Sequence, residues 1–486
     1  MIDVLLILAL ADVFHVAADG ADDPARDGKS PPAAWKSLAY ACERVPEGAH
    51  TIRLGAGTFP ASRTARPRSG LTIEGAGRDA TRIVAAADWP LSEDPSKKNP
   101  AEEYLIAFEK AEGIAIRSIA LASDPVRRIT GAVRVLNSKK VILRDLHVRD
   151  FRWNGLHLEL SSEVEVDSCL LEDASTEKFG FHGGLIRSRW LKNSRIHHCR
   201  IVSTTGKGYG YKGGGHERTR IDHNVIDVAG EFSIESAHEN EYGVEIDHNL
   251  ATRCISIPKG GQGDDPNRRG TPYSFWIHDN LLTDSYTVEG PRNHLLFERN
   301  HVRIAKTGGR VYTHHGGKNH GPVWIRHNVV ENVDRALVWM NQGLAENIEV
   351  SNNTVVCAEA GPRAGTLIDS YSEERLNGWT VRNNVFVAPA SEPRKLIPSA
   401  RGVPAKISVS NDLCINLTGV PAGNIEGSDP GFRKSGDAPW PFFAPASDEA
   451  FVVDRGLDVG LPFKGKAPDL GAYEWGDERP LLEIPK

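Results

Sequence analysis

Several things are scarce in this 486-residue chain, and each scarcity closes a class of explanation. Positive charge is not in excess: 58 Lys and Arg stand against 64 Asp and Glu, for a formal net charge of -6. A nucleic-acid binder needs a net basic footprint, so that class is set aside. Beyond the N-terminus no stretch approaches the ~18 apolar residues of a membrane span, and no membrane partner is expected. The six cysteines (Cys42, Cys169, Cys199, Cys254, Cys357 and Cys414) include no CxxC. Zinc-ribbon and thioredoxin-type readings therefore lack support, and buried free thiols with at most one bridge are expected. Methionine occurs twice, no long helical pattern stands out, and the P-loop signature is absent.

Glycine, by contrast, is abundant at 47 residues, which suits a turn-rich β protein. Short strand-like runs recur, each ending in Asn: Ile221-Asp-His-Asn224, Ile246-Asp-His-Asn249, Ile277-His-Asp-Asn280, Phe297-Glu-Arg-Asn300, Ile325-Arg-His-Asn328, Val350-Ser-Asn-Asn353 and Val381-Arg-Asn-Asn384. The intervals of 20 to 31 residues are those of a solenoid whose turns vary and whose strands do not. Upstream, Ile196-His-His-Cys199 and Val166-Asp-Ser-Cys169 put cysteine in the same slot. Coils stack at about 4.8 Å. An Asn at one corner is expected to adopt the left-handed backbone and to bond its neighbours in an amide ladder. These Asn, and most His beside them, read as scaffold.

A second family of runs lies between: Tyr209-Gly-Tyr-Lys212, Phe232-Ser-Ile-Glu235, Ile255-Ser-Ile-Pro258-Lys259, Tyr286-Thr-Val-Glu289, Val311-Tyr-Thr-His314 and Leu337-Val-Trp339. Each coil then has three short strands and three turns. The expected fold is all-β, a right-handed parallel β-helix over 51–415. A probable signal peptide spans 1–19, a cap region with a short helix near residues 32–42 spans 20–50, and an irregular tail over 416–486 packs on the coils. The apolar Val4–Leu10 run followed by small residues suggests export, so a secreted or periplasmic location is expected. A monomer is the default for a capped solenoid.

Alternate strand residues face opposite sides. If the apolar third residue points inward, the fourth points out, giving a column of Lys212, Glu235, Pro258 with Lys259, Glu289, and His314 or Thr313. Tyr211, His216, His238, Glu239, Tyr242, Arg292, His314 and His315 are expected to contact a ligand beside it. A solvated, charge-balanced ladder is the plain alternative, with ion pairs worth a few tenths of a kcal/mol each. The concentration of Tyr, His, Gly and charge in 206–320 favours a site.

The Ala34-Trp-Lys-Ser-Leu38 segment, Leu54-Gly-Ala-Gly-Thr-Phe59 and Leu71-Thr-Ile-Glu-Gly-Ala-Gly77 resemble the opening of pectate-lyase-superfamily β-helix proteins, and Asp469-Leu-Gly-Ala-Tyr-Glu474 resembles the ending of secreted bacterial members. The resemblance covers nearly the whole chain and implies a polysaccharide or oligosaccharide substrate. Glu231-Phe-Ser-Ile-Glu-Ser-Ala-His-Glu-Asn240, followed by Ile255-Ser-Ile-Pro-Lys-Gly260, looks like the catalytic coils of the chondroitinase-B and alginate-lyase group. That group carries a Lys base and then an Arg, whereas the matching positions here hold Glu235 and Pro258-Lys259.

Three functions follow in order of expectation. In a polysaccharide lyase, Lys212, Lys259 or His238 is the base and Arg292 grips a uronate carboxylate. Glu235, Glu239, Glu241 and Glu289 are the candidate ligands for Ca²⁺, which takes several oxygens; no cofactor is fixed by the residues alone. In a glycoside hydrolase, Glu235 and Glu289 form the carboxylate pair. The third class is a non-catalytic carbohydrate-binding surface protein.

Overall fold

The computed structural model describes residues 11–91, 103–126, 128–174, 183–205, 209–238, 240–257, 267, 270–283, 286–290, 294–304, 309–314, 321–340, 345–358, 366–370, 376–397, 407–433 and 443–477. The chain is a right-handed parallel β-helix of about 10 turns. It divides into two units, Met1–Lys212 and Gly213–Lys486.

In the first unit, the strands Val13–Val16, Thr51–Leu54, Thr72–Glu74, Glu112–Ala122, Lys139–Arg149, Ser162–Asp167 and Arg195–His197 pair in parallel, each with the next. A second sheet runs through Tyr104–Glu109, Gly131–Leu136, Asn154–Glu159, Gly184–Arg189 and Tyr209–Gly213. Residues 1–10 of the expected signal peptide lie outside the described residues. Val13–Val16 form the first paired strand, with Phe14 and Val16 in the core. The expected helix is shorter than its pattern. A 3-10 turn occupies Pro31–Ala33 and the α-helix begins only at Leu38, because Ser37 caps the amide of Tyr40 at 3.3 Å. Leu38, Ala39, Ala41 and Cys42 bury one face.

In the second unit, one sheet follows Arg220–Asp222, Val244–Asp247, Phe275–His278, Leu295–Glu298, Val323–Arg326, Ile348–Ser351, Trp379–Arg382 and Ile407–Ser410. Another stacks Phe232–Ser236, Cys254–Ser256, Tyr286–Gly290, Arg310–His314, Ala336–Met340 and Ile368–Ser370. Beyond residue 416 the chain lies over its last coils. Val452 and Leu470 pack with Val385, Leu413 and Ile415, and Asn383 donates to the carbonyl of Leu457 at 2.8 Å.

Apolar third positions fill the interior, as alternation demands. Val133, Leu156, Ile186, Tyr211, Ile234, Ile255, Tyr312 and Val338 are all fully buried. All six cysteines are buried free thiols.

The amide ladder is present. Asn224, Asn249, Asn280, Asn300, Asn328, Asn353 and Asn384 each donate from Nδ2 to the Oδ1 of the next rung, at 2.8–3.1 Å. The last acceptor is Asp412. One expectation is corrected. The left-handed corner belongs to the residue before the Asn: His223, His248, Asp279, Arg299 and His327 have φ of 51–54°. The ladder requires the Asn side chain to point inward, so the turn of the backbone falls one residue earlier.

Candidate functional site

Fourth strand positions of the first unit form a column that ends at Lys212. The strands Gly131-Ala-Val-Arg134, Asn154-Gly-Leu-His157, Gly184-Leu-Ile-Arg187 and Tyr209-Gly-Tyr-Lys212 all carry a basic residue there. The pairing register puts Arg134 opposite His157, His157 opposite Arg187, and Arg187 opposite Lys212. Four nitrogenous side chains thus rise through four successive coils at the strand spacing of about 4.8 Å.

These side chains are not a solvated face. His157 is 2 % and Arg187 8 % exposed, while Arg134 and Lys212 are half-buried. Burial pushes the Arg187 guanidinium below its ordinary range, and the like charge of Arg189 adds to the effect. A buried cation is costly unless an anion meets it. Nε of Arg134 is buried with no hydrogen-bond partner among the described residues.

His157 is held in one orientation. Its Nδ1 lies 3.2 Å from the Tyr104 hydroxyl, which also accepts from Nδ2 of Asn154 at 3.3 Å. Its Nε2 lies 3.2 Å from Oε2 of Glu159. Burial lowers the His157 pKa, which favours the neutral ring, and the hydrogen bond from His157 holds Glu159 below the usual carboxylate range. The Nζ of Lys212 sits 4.1 Å from the centre of the Tyr209 ring.

In the second unit, the same strand position carries different chemistry. Glu235 pairs with Ser256, Ser256 with Glu289, Glu289 with Thr313, Thr313 with Trp339, and Trp339 with Asp369. Glu235 and Glu289 are therefore two coils apart, as expected. Pro258 and Lys259 do not fill the place between them, which belongs to Ser256. The register shifts by one residue between Phe232 and Ile234, so the next strand starts at Cys254 and reaches the fourth place one residue early. Thr313, not His314, occupies the Glu289 row; His314 pairs with Gly290. Glu235 is 8 % exposed.

Other expected contacts are structural. Tyr211 is fully buried, its hydroxyl 2.5 Å from Ser188 Oγ. As a third-position residue it belongs to the core and not to the groove. His216 is fully buried, and its Nε2 accepts from the amide of Gly214 at 3.0 Å. Burial, then the charge of His238, pushes its pKa down to about 3. Tyr242 is 5 % exposed and donates to Oδ1 of Asn240 at 3.3 Å.

Glu241 does not fit the expected Ca²⁺ site. It is fully buried. Its Oε1 accepts from the amide of Gly215 at 2.9 Å and the hydroxyl of Ser236 at 2.8 Å, and its Oε2 from the amide of His216 at 2.9 Å. Gly215 takes φ of 76°, a conformation natural to glycine, to present that amide. With the amide of His238 as a fourth donor, the lone pairs of the carboxylate are taken and no face is left for a cation. Burial also pushes its pKa up to about 7. Glu241 is a turn clamp, and no calcium chemistry is routed through it. His238 is half-buried and its Nδ1 accepts from the amide of Asn240 at 3.2 Å. Glu239, Lys259, Arg292 and His315 lie outside the described residues, as do the side chains of Glu289 and His314.

A scan against protein-family models finds no match, and neither does a search of curated proteins. Among solved structures, pectate lyase Pel9A is similar at 15 % identity, with 95 % of this chain and 96 % of that one covered and a TM-score of 0.36. The tailspike protein of E. coli bacteriophage HK620, in complex with a pentasaccharide, is 11 % identical over 78 % of this chain and 76 % of its own, with a TM-score of 0.45. A GH136 lacto-N-biosidase from Eubacterium ramulus is 11 % identical over 76 % and 68 %, with a TM-score of 0.42. The parallel β-helix that the sequence resemblance implies is the fold found here.

Proposed function

We propose that this chain is a secreted or periplasmic polysaccharide lyase that cleaves a uronate-containing glycan by β-elimination, with the column Arg134, His157, Arg187 and Lys212 as its binding and reacting edge. The observation that carries this reading is the register of that column. It lines up three cations and a neutral imidazole over four coils, with the inner members nearly out of water. A polymer bearing repeated carboxylates is matched in charge to such a stack.

In this reading Arg187 forks onto the carboxylate beside the labile C–H and spreads its charge. Lys212, one coil on, first gives its own proton to solvent and then, as the amine, removes the proton from the carbon bearing that carboxylate. The electron pair becomes the new C=C bond, the glycosidic C–O bond on the adjacent carbon breaks, and the departing oxygen takes up a proton. Among the structural neighbours, pectate lyase Pel9A and the pentasaccharide-bound tailspike are in keeping with a sugar polymer.

A second reading rests on the other column. Glu235 and Glu289 bracket Ser256 in register, so their backbones are roughly 9–10 Å apart, a separation that suits an inverting glycosidase.

Incubation with a panel of uronate polymers tests both. Ultraviolet absorbance from unsaturated ends is the expected result. Reducing ends without that absorbance favour the glutamate pair, and binding with neither signal leaves a non-catalytic carbohydrate binder.

A further inference from the structure

On the other sheet of the first unit, Asp167 ends the strand Ser162–Asp167 and lies opposite His197, the last residue of Arg195–His197. His198 follows in the left-handed conformation, with φ of 52°. Three potential ligand atoms meet there. Nδ1 of His197 and Nδ1 of His198 are 2.7 Å apart. Oδ1 of Asp167 is 3.4 Å from the first and 4.0 Å from the second. A tetrahedral zinc ion with bonds of about 2.1 Å holds its ligand atoms roughly 3.4 Å apart. The three separations bracket that value, so small side-chain rotations make room for one ion.

The surroundings orient the set. Nε2 of His197 lies 3.2 Å from Oε1 of Glu165, so that nitrogen carries the proton and Nδ1 presents its lone pair to the gap. Nε of Arg144 holds Oδ2 of Asp167 at 2.8 Å. Oδ1 accepts from the Ser168 hydroxyl at 2.8 Å, and a carboxylate oxygen has a second lone pair. The His197 side chain is 8 % exposed and that of His198 54 %, so the ion's remaining position opens to water. Two comparable clusters of the second unit, His223 with Asp247 and His248, and Glu245 with Asp247 and His278, share Asp247 and are less suited. There Arg220 grips both oxygens of Asp247, at 2.8 and 2.6 Å.

We propose that Asp167, His197 and His198 form a binding site for a divalent transition-metal ion of the zinc type, which clips two neighbouring coils together. This goes beyond the proposed lyase activity and does not depend on it.

The test is titration of chelator-treated full-length protein with Zn²⁺ by calorimetry, with Co²⁺ absorbance as a second readout of tetrahedral nitrogen and oxygen ligation. The comparison proteins are His198→Asn, whose amide side chain tolerates the left-handed backbone, and Asp167→Asn. The expected result has three parts: a one-to-one component in the native chain, at least tenfold weaker in both variants; a Zn²⁺-induced rise in melting temperature that His198→Asn abolishes; and a metal-free melting temperature for His198→Asn close to that of the native chain. Absence of a one-to-one component overturns the proposal. So does a component that survives in both variants, or one lost only when His223 and His248 are both replaced by Asn.

Discussion

The two units place opposite chemistry at the same strand position. In the first, the fourth residue is Arg134, His157, Arg187 and Lys212; in the second it is Glu235, Ser256, Glu289 and Thr313. The scaffold beneath is the same alternation of buried third and outward fourth residues. A parallel β-helix thus decouples the residues that fill the core from those that meet a ligand, and one strand pattern serves two surfaces.

The inward corner differs too. In the second unit the slot is filled by Asn, whose amides bond rung to rung. In the first, Cys169 and Cys199 occupy it, and their thiols point at carbonyls in the same pattern: Sγ of Cys199 to the carbonyls of His197 at 3.2 Å and Val166 at 3.8 Å. A thiol is a weak donor and an amide a strong one, so the second unit has the stiffer seam.

The sharpest way to break the comparison is Lys212→Ala beside Glu235→Gln. On the lyase reading the first lowers turnover by about 10²–10⁴-fold, the usual contribution of a general base, and the second leaves most of it. Inverted kcat losses transfer the site to the acidic column. Next in size is Asn280→Ala. It removes the acceptor of the Asn249 amide and side chain and three donations of its own. A stability loss of about 3 kcal/mol is expected from buried groups left unpaired, measured by denaturant unfolding. Cys199→Ala should cost clearly less, and equal costs would erase the contrast between the two seams.

Arg134→Ala, at the far end of the basic column from Lys212, should raise KM about tenfold for a uronate polymer with kcat nearly kept, the signature of uniform binding. An unchanged KM removes Arg134 from the groove.

The smallest effect concerns the ladder's end. Asp412 is buried and accepts from the amide and Nδ2 of Asn384, both at 2.8 Å, while its Oδ2 is buried without a partner among the described residues. Burial pushes its pKa up to about 7 from an ordinary 3.8. The unfolded chain therefore loses this proton first. Stability is full below about pH 4 and declines as pH rises through about 7. Asp412→Asn completes the amide series and should raise the melting temperature at pH 8 by a few degrees, with little change at pH 4. A gain equal at both pH values would remove the carboxyl as its cause.

The fold was readable because its signals are periodic. Asn224 to Asn384 marked the coils, and Phe232-Ser-Ile-Glu235 marked the second strand. The site was readable only in part. The rule that exposed Lys212 applies equally to Gly184-Leu-Ile-Arg187, Asn154-Gly-Leu-His157 and Gly131-Ala-Val-Arg134, but those coils lack the Tyr and Gly clusters that drew attention to 206–320. Burial of Tyr211, His216 and Glu241 was hidden for another reason: a turn clamp and a binding residue are both polar groups next to glycine. The row expected at Pro258 falls two residues earlier, at Ser256, because the strand starts at Cys254 and its register also shifts by one, which spacing alone cannot reveal within so short a strand.

The amide seam carries a consequence for how such a chain tolerates change. Each rung is fixed at once by its backbone amide and by its side chain, so a coil cannot slide by one step without losing several bonds together. Between rungs the length of chain varies from 20 to 31 residues. New loop sequence can therefore be inserted between rungs, or removed, without disturbing the alignment of any other coil, and recognition can be rewritten while the spine stays as it is.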